Sequence, residues 1–229
     1  MKVLLASLAT VLALVAVVIA QTPEVTKPLC SSPELNVTYN FKEKWNTMER
    51  KCVRQVKAQV HRELKAAMQY LAMGAHFSKD TVNRPGFAKL FFEAASEERE
   101  HAIKLLSYLS MRGDLILDKD KDIVGKLTVE KEAWASGTSA LRDALEVEAK
   151  VTANIRDLIV FCEGAGRDEI KNDYHLVDYL TADFLTEQYR GQRDLAGKLY
   201  TLGKMQKNHG HASLAEFLFD KKLLNGEAV

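Results

Sequence analysis

Glu98 and His101 are the residues of this sequence whose types and spacing first suggest chemistry. They lie in the stretch 88–109, where apolar residues recur every three or four positions and so predict one face of a helix. Glu98 takes the position on that face between Ala95 and Ala102, and the imidazole follows one turn later. A charge that faces a helical core is costly unless it is paired or coordinates a metal. We therefore expect Glu98 and His101 to share a partner.

The same interruption occurs in three other apolar stripes, where Glu63, Glu148 and Gln188 take positions that the pattern reserves for apolar residues. Any one of them has an ordinary explanation, and the charged run 97–101 on its own fits a solvated helix face. All of them fall near the middle of a predicted helix, however, and a bundle brings the midpoints of its helices together. The four stripes together predict one polar cluster inside a helical bundle.

Three carboxylates and one imidazole around a point suit a pair of ions such as iron or manganese, and a set without thiolates argues against structural zinc. Carboxylate di-iron bundles take a Glu-x-x-His motif from each of two helices. Glu98 and His101 form one such motif, but Gly191 stands three residues after Gln188, so the second motif is incomplete. This asymmetry predicts one firmly held ion and one weakly held ion. Such a site suits an iron oxidase that releases its product better than an oxygenase that keeps both ions.

The elements that position these residues are helical by pattern. Helices are predicted at about 44–76, 85–112, 134–162 and 173–207, with a short amphipathic helix at 214–224. The stripe of the fourth helix runs through Val177 and Phe184. The connection 113–133 has no helical stripe; extended, it reaches about 69 Å, whereas helices of this size are about 42 Å long. The sequence therefore predicts an all-α four-helix bundle with a long crossover between helices 2 and 3 and a short fifth C-terminal helix.

The first residues read as a targeting segment. An apolar run at 3–20 follows a single basic residue and ends in small or apolar residues before a cleavage point after Ala20. This pattern predicts a signal peptide at 1–20; the alternative, a membrane anchor, fits the length of the run but not its charge and cleavage pattern. Residues 21–43 read as an extended arm, which leaves 44–229 as one large domain.

The net charge of the chain limits the kinds of partner it is expected to bind. The sequence has 32 Lys and Arg against 31 Asp and Glu, a formal net charge of +1. Removal of the predicted signal peptide takes away one basic residue and no acidic one, so 31 balance 31 and the net charge becomes zero. A nucleic-acid binder would carry a basic excess, so we expect no nucleic-acid partner. No second segment is apolar enough over a sufficient length to cross a bilayer, so we expect no membrane partner either.

The sequence holds three cysteines, Cys30, Cys52 and Cys162. In an oxidising compartment an odd count leaves at least one thiol unbonded or bridged to another chain. Cys162 falls on an apolar helix face, where a buried free thiol is the ordinary interpretation, and the spacing leaves the pairing open. Asn36 begins an Asn-Val-Thr sequon in a loop-like segment, which makes it a candidate glycosylation site.

Longer motifs spread over all four predicted helices carry a family resemblance. They are Glu63-Leu64 with Tyr70-Leu71-Ala72-Met73, Phe87-Ala88-Lys89, Glu97-Glu98-Arg99-Glu100-His101-Ala102, Trp134 with Gly137, Glu187-Gln188, and Leu214-Ala215-Glu216-Phe217-Leu218-Phe219-Asp220-Lys221. On these residues the chain resembles a ferritin heavy chain from about Lys44 to Leu224. With the predicted signal peptide, the cysteine-bearing arm and the sequon, it is similar to the secreted heavy-chain ferritins of insects. The resemblance implies a ferritin-like di-iron domain at 44–229.

The resemblance also implies an activity, the oxidation of Fe(II) to Fe(III) by dioxygen at a site for two iron ions, with delivery to a ferric mineral core. It implies these roles: Glu63 and His101 hold the first iron, Glu98 bridges, Glu148 holds the second, Gln188 binds directly or orients water or dioxygen, and Tyr70 hydrogen-bonds beside the site. It further implies a twenty-four-subunit cage, formed alone or with a light chain and an interchain disulfide. Such a cage would work outside the cell or in the lumen of the secretory pathway.

Three further acids acquire roles through the resemblance. It gives Glu97 and Glu100 a part in iron transit or nucleation, although a solvated pair explains them equally well. It matches Asp178 to one acid of a three-fold entry channel. Thr181 takes the place of the second acid, so the channel needs its charge from Asp183 or from a partner subunit.

Two other functions fit parts of the pattern. A structural ferritin subunit would build the shell and nucleate mineral without oxidising iron. A secreted, cytokine-like four-helix binding module would account for the helices and the signal peptide but not for the inward acids. Measurement of iron oxidation separates the first alternative from the oxidase.

Overall fold

The computed structural model describes residues 48–112, 127–164, 172–208 and 211–227, all within the unit formed by residues 41–229. The predicted signal peptide and arm, and with them Cys30 and Asn36, lie outside the described residues. Every regular element in the described part of the chain is helical, which confirms the all-α prediction.

Four long helices and one short helix make up the fold. Helix α1 spans Arg50–Ser78, α2 spans Pro85–Met111 and α3 spans Gly137–Cys162. The fourth long helix consists of three consecutive segments, namely α4 at Tyr174–Tyr179, a π-helical turn at Leu180–Leu185, and α5 at Thr186–Asn208. The short helix α6 spans Ala212–Leu224.

The helix starts follow from local chemistry. Pro85 occupies the first turn of α2, where its missing N–H leaves no intrahelical bond unmade. Ser136 caps α3 in a capping box with Ser139, each side chain accepting from the backbone N–H of the other residue. Asp173 caps α4 by accepting the backbone N–H of Leu176 at 3.1 Å. These local interactions fix where α2, α3 and α4 begin.

Contacts between helix ends give the helix directions. Cys52 near the start of α1 is disulfide-bonded to Cys162 at the end of α3, and His76 near the end of α1 packs on Trp134 with ring centroids 5.5 Å apart. Helices α1 and α3 are therefore antiparallel, and α2, which forms a hairpin with α1, is parallel to α3. The end of α2 and the start of α3 therefore lie at opposite ends of the bundle, which agrees with the predicted long crossover; residues 113–126 lie outside the described residues.

The disulfide also settles the pairing that the sequence left open. Cys52 and Cys162 are both fully buried and bonded to each other. The interpretation of Cys162 as a buried free thiol is therefore wrong, because the start of α1 and the end of α3 meet at one end of the bundle.

The π-helical turn corrects the predicted inward face of the fourth helix. Val177 is only half-buried, and Leu176 is fully buried in its place. The buried residues then follow at steps of four, through Leu180 and Phe184 to Gln188. In an unbroken α-helix each step of four rotates the side chain by about 40°, so the face would drift away from the core. The wider π turn removes that drift and turns Gln188 into the bundle.

The apolar core is divided into two clusters, and the division falls at the polar residues of the stripes. The cluster at the disulfide end includes Val56, Leu105, Ile155 and Leu180. The cluster at the other end includes Phe77, Phe87, Phe91, Trp134 and Phe219. Along α2, α3 and the fourth long helix, the change from one cluster to the other occurs around Glu98, Glu148 and Gln188. The bundle therefore holds a polar layer between two apolar ones.

Helix α6 docks where α2 and α3 begin, and Phe219 packs on Phe87 with ring centroids 5.7 Å apart. Its other faces keep Leu214, Phe217 and Leu218 partly exposed. Within the described ranges, no helix combines the length and the apolar character that crossing a bilayer requires.

Candidate metal centre

Helices α1 and α2 bring Glu63, Glu98 and His101 together in the polar layer. The ligand atoms of the three side chains all lie within 4.8 Å of one another. Nδ1 of His101 is 4.0 Å from Oε2 of Glu63 and 3.8 Å from Oε1 of Glu98, too far for hydrogen bonds. Ligands that share one ion at about 2.0–2.4 Å lie at such separations from each other. The geometry fits a single cation held by three side chains.

The hydrogen bonding of these residues supports the same fit. Glu63 is fully buried, and Glu98 and His101 are more than nine-tenths buried. Oε2 of Glu63, Oε2 of Glu98 and Nδ1 of His101 have no hydrogen-bond partner. Buried polar atoms without partners are rare in native proteins because each one costs free energy. Three residues with such atoms, grouped in one buried layer, fit a site for a metal ion.

The electrostatics of the metal-free centre are those of crowded carboxyl groups. Burial raises the pKa of Glu63 well above 4.5, and the charge of Glu98 raises it further. Burial, followed by the charge of Glu148, raises the pKa of Glu98 to about 8. Burial also raises the pKa of Glu148, against the hydrogen bond that Tyr70 donates to it. Burial and mutual repulsion therefore favour the protonated forms of these carboxyl groups, and a metal ion would have to compete with those protons.

Glu148 and Gln188 form the second side of the centre. Tyr70 donates its hydroxyl to Oε1 of Glu148 at 2.5 Å. Thr152 donates its hydroxyl to Oε1 of Gln188 at 2.9 Å and accepts a hydrogen bond from Gln192. The amide oxygen of Gln188 is thus committed, and its NH₂ group interacts with Glu148. In this arrangement Gln188 offers a hydrogen-bond donor to the centre rather than a ligand oxygen.

The imidazole of His101 is held from its far side. Nε2 lies 3.0 Å from Oε2 of Glu187, and Lys104 donates to both oxygens of the same carboxylate at 3.0 and 3.1 Å. With its proton on Nε2, the ring keeps Nδ1 available as an acceptor toward the other ligands. The lysine and the imidazole together hold the pKa of Glu187 below its ordinary range.

The centre opens onto a cavity of about 460 Å³ between α2 and α5. Glu97 and Glu100 line this cavity beside Glu98 and His101. Gly191 lines it too, and a Cβ added there would have no atom within 4 Å. The position at which a second Glu-x-x-His motif would place its histidine is therefore open space.

The residues predicted from the sequence fall into three groups. The structure brings together the six central ones, Glu63, Tyr70, Glu98, His101, Glu148 and Gln188, and places Glu97 and Glu100 in the adjoining cavity. Asp178 is exposed on α4 and is not part of the centre, and Thr181 is exposed in the π turn. A channel formed with other subunits is not tested by a single chain, so that role stays a prediction.

Four residues that hold the predicted ones in place were missed by sequence reasoning. They are Gln59, Glu187, Thr152 and Lys104. Gln59 lies on the inward face of α1, but the stripe passes from Val56 to Val60 in one regular step of four, so the apolar pattern did not mark it. The others touch the site only through contacts between helices, which spacing does not reveal.

Comparison with known proteins agrees with this geometry. Residues 53–205 match the family model described as ferritin, a ferritin-like domain. The ferritin heavy chain of Papilio xuthus is 54% identical over 198 residues, covering 85% of this chain and 90% of that one. The ferritin heavy chain of Trichoplusia ni is 56% identical over 183 residues, covering 79% of this chain and 82% of that one. The crystal structure of Trichoplusia ni secreted ferritin superposes with a TM-score of 0.74 at 54% identity, covering 80% of this chain and 93% of that chain.

A four-helix bundle with three buried carboxylates and an imidazole in its central layer defines a carboxylate-bundle protein built to bind metal ions. Within that class, the chain belongs to the ferritin family, the iron-storage proteins.

Proposed function

We propose that this chain is a ferritin subunit with ferroxidase activity, which oxidises Fe(II) with dioxygen and passes Fe(III) to a mineral core. The observation that supports it is the convergence of Glu63, Glu98 and His101, whose buried ligand atoms have no other partner. A purely shell-forming subunit does not require such atoms, because their burial weakens the fold. Iron is the substrate of the reaction and the cargo of the protein.

Each residue of the centre has a role that its contacts allow. Glu63 and His101 hold the first Fe(II) through Oε2 and Nδ1, and Glu98 is shared between the two ions. Glu148, oriented by Tyr70, binds the second ion, while the NH₂ of Gln188 orients water or dioxygen. Two Fe(II) ions give up one electron each, and dioxygen accepts the two electrons with two protons from solvent to give two Fe(III) and hydrogen peroxide. The protein supplies positions and negative charge for this chemistry.

The second ion has carboxylate ligands from α2 and α3 but no histidine ligand from α5, and this favours release of the product. Gly191 offers no ligand where a complete di-iron motif would have one. The adjoining cavity carries Glu97 and Glu100, which would receive iron on its way to the core. An enzyme that stores its product needs such an exit, whereas an oxygenase would lose its cofactor through it.

We further infer that the chain assembles with other ferritin subunits into a twenty-four-subunit cage and is secreted. The similarity to a secreted ferritin supports both statements. Because Cys52 and Cys162 are bonded within the chain, Cys30 is the cysteine left for a disulfide to a light chain or a second copy. A non-reducing gel of wild type and Cys30→Ser tests this pairing, since only the wild type should run as a linked pair.

The oxidase proposal is tested by aerobic addition of Fe(II) to the full chain, with absorbance of the ferric product followed in time. Glu63→Ala combined with His101→Ala should lower the initial rate at least about tenfold, because removal of metal ligands or their partners costs 10–100-fold in activity. Glu132→Ala combined with His211→Ala is the matched control, since both residues are exposed on the described surface. That control should oxidise iron at the wild-type rate.

Equal rates in the wild type and the site variant would refute catalysis at this centre and leave iron storage standing. Elution of the wild type as a monomer would count against the cage itself. Circular dichroism of the site variant separates loss of ligands from loss of fold.

A further inference from the structure

Gln59 contacts the centre without being one of its ligands. It lies one turn before Glu63 on α1, and its side chain is fully buried. Its amide Nε2 donates to Oε1 of Glu63 at 2.7 Å. Oε2 of the same carboxylate has no hydrogen-bond partner and faces His101. One oxygen of Glu63 is thus committed to the protein, and the other remains for a metal ion.

The direction of this hydrogen bond is set by a third residue. Nη1 of Arg62 donates to Oε1 of Gln59 at 3.2 Å. A guanidinium group has donors only, so the amide of Gln59 must turn its oxygen toward Arg62 and its NH₂ toward Glu63. Arg62 thus donates to Gln59, and Gln59 donates to Glu63, so the hydrogen bonds along α1 end on the carboxylate.

The opposite side of the centre uses the same arrangement. Oε1 of Glu148 accepts the hydroxyl of Tyr70, as Oε1 of Glu63 accepts the amide of Gln59. In both cases a buried donor occupies one oxygen of a carboxylate assigned to a single ion. Partners of this kind fix the orientation of a ligand and its mode of coordination.

We propose that Gln59 is a positioning residue of the metal centre, which restricts Glu63 to binding one ion through Oε2 alone. This inference rests on the proposed function only in that Glu63 is a metal ligand, and it does not depend on oxidation of iron. Without the amide, both oxygens of Glu63 can approach the ion. The coordination number would then rise, and the ion would lose the open position that a second reactant needs.

Co²⁺ is the probe, because it binds carboxylate and imidazole ligands and its visible absorption weakens as the coordination number rises. Gln59→Met removes the donor while keeping length and burial, and the thioether is a poor ligand for this ion. We expect Co²⁺ to bind the first site of Gln59→Met about 10–100-fold more weakly than that of the wild type. We also expect lower absorption per bound ion.

Gln69→Met is the matched control. Gln69 is a second buried glutamine of α1, but its amide binds the backbone of Glu130 and Lys131 and touches no ligand. Its replacement should leave the affinity and the spectrum of bound Co²⁺ unchanged. Equal shifts in the two variants would show that loss of a buried hydrogen bond acts through the fold, and would overturn the proposal.

Arg62→Met keeps the inference testable if Gln59→Met does not fold. Arg62 is half-buried, and its replacement removes the hydrogen bond that orients the amide of Gln59. Arg62→Met should therefore bind Co²⁺ about two- to fivefold more weakly than the wild type. Wild-type affinity and spectrum in Arg62→Met, or in a folded Gln59→Met, would overturn the proposal. If the wild type binds Co²⁺ through Glu63 but does not oxidise Fe(II), the proposed function fails while the comparison of Gln59 variants still holds.

Discussion

Two groups of acidic residues with little exposure to solvent can be compared in the described part of the chain, those of the polar layer and those at the docking site of α6. At the docking site, Oδ1 of Asp220 accepts the backbone N–H of Phe87 at 3.0 Å, and Oε2 of Glu216 accepts that of Gly137 at 2.8 Å. Both donors lie in the first turn of a long helix, where the helix dipole favours negative charge. Oε1 of Glu216 also pairs with Nε of Arg84 at 3.3 Å.

In the polar layer, the described hydrogen bonds to Glu63 and Glu148 come from side chains and not from the backbone. Glu63 and Glu98 face each other and His101 at mid-helix, where backbone N–H groups are already bonded within the helix. The difference shows how one fold assigns opposite roles to the same side chain. The acids of α6 that face helix starts accept backbone N–H groups and hold α6 in place. The acids at helix midpoints have only side-chain donors, and Oε2 of Glu63 and Oε2 of Glu98 have no hydrogen-bond partner.

The largest effect should come from neutralising an acid in the polar layer. Burial and neighbouring charge raise the pKa of Glu98 from 4.5 to about 8. Glu98→Gln should therefore stabilise the metal-free protein at pH 8 and above, by at most about 5 kcal/mol at about 1.4 kcal/mol per pKa unit. Thermal unfolding of the chelator-treated full chain measures the gain.

The pH dependence gives this prediction its sign. In the folded state Glu98 keeps its proton up to about pH 8, whereas the unfolded chain loses it near pH 4.5. The contribution of Glu98 to stability is thus fully present below pH 4.5 and is lost as the pH rises through 8. The advantage of Glu98→Gln should vanish at pH 4.5, and the exposed control Glu146→Gln should show none at either pH. A variant less stable than wild type at pH 8 would contradict the comparison.

A smaller effect of opposite sign should follow from obstructing the docking site. A Cβ added to Gly86 would lie 1.9 Å from the backbone oxygen of Asp220, so α6 would have to move. Gly86→Ala should destabilise the protein by about 1–3 kcal/mol, the usual range for overpacking. Faster proteolysis within α6, together with a lower midpoint of denaturant unfolding, would be the measured result.

Gly203→Ala is the control for this change. A Cβ at Gly203 meets nothing within 4 Å, and the residue lies inside α5. Alanine should stabilise the helix there by about 0.5–1 kcal/mol. If Gly86→Ala were as stable as Gly203→Ala, close docking of α6 would not matter to the fold.

The sequence predicted the residues that converge in the polar layer better than the residues that support them. Glu63, Glu98 and Glu148 were found because each interrupts a periodic stripe, and periodicity is a local property. The long crossover between the second and third helices was predicted from the length of the connection, which exceeds the length of a helix. Both inferences use only distances along the chain, which is why they survive in the structure.

Other features depend on contacts between distant segments, and spacing carries no signal for them. The disulfide between Cys52 and Cys162 joins residues 110 positions apart. Glu187 contacts His101 only because the π turn sets the rotation of α5. The apolar pattern did not reveal this turn, and it placed Val177 on the inward face, where the structure has Leu176. In the sequence, Asp220 is a charged residue in a short amphipathic helix, and its partner at the start of α2 becomes apparent only in the folded chain.

The smallest and sharpest test makes the same chemical change at both places. Asp220→Asn retains an oxygen for the N–H of Phe87 but removes the charge from the first turn of α2, and it places an NH₂ where the buried Oδ2 has no partner. It should therefore cost about 0.5–2 kcal/mol, whereas Glu98→Gln stabilises the metal-free chain. Urea unfolding at pH 8 compares the two variants directly. If both carboxylate-to-amide changes shifted stability in the same direction, helix starts would not be what distinguishes the two sets of acids, and burial alone would govern them.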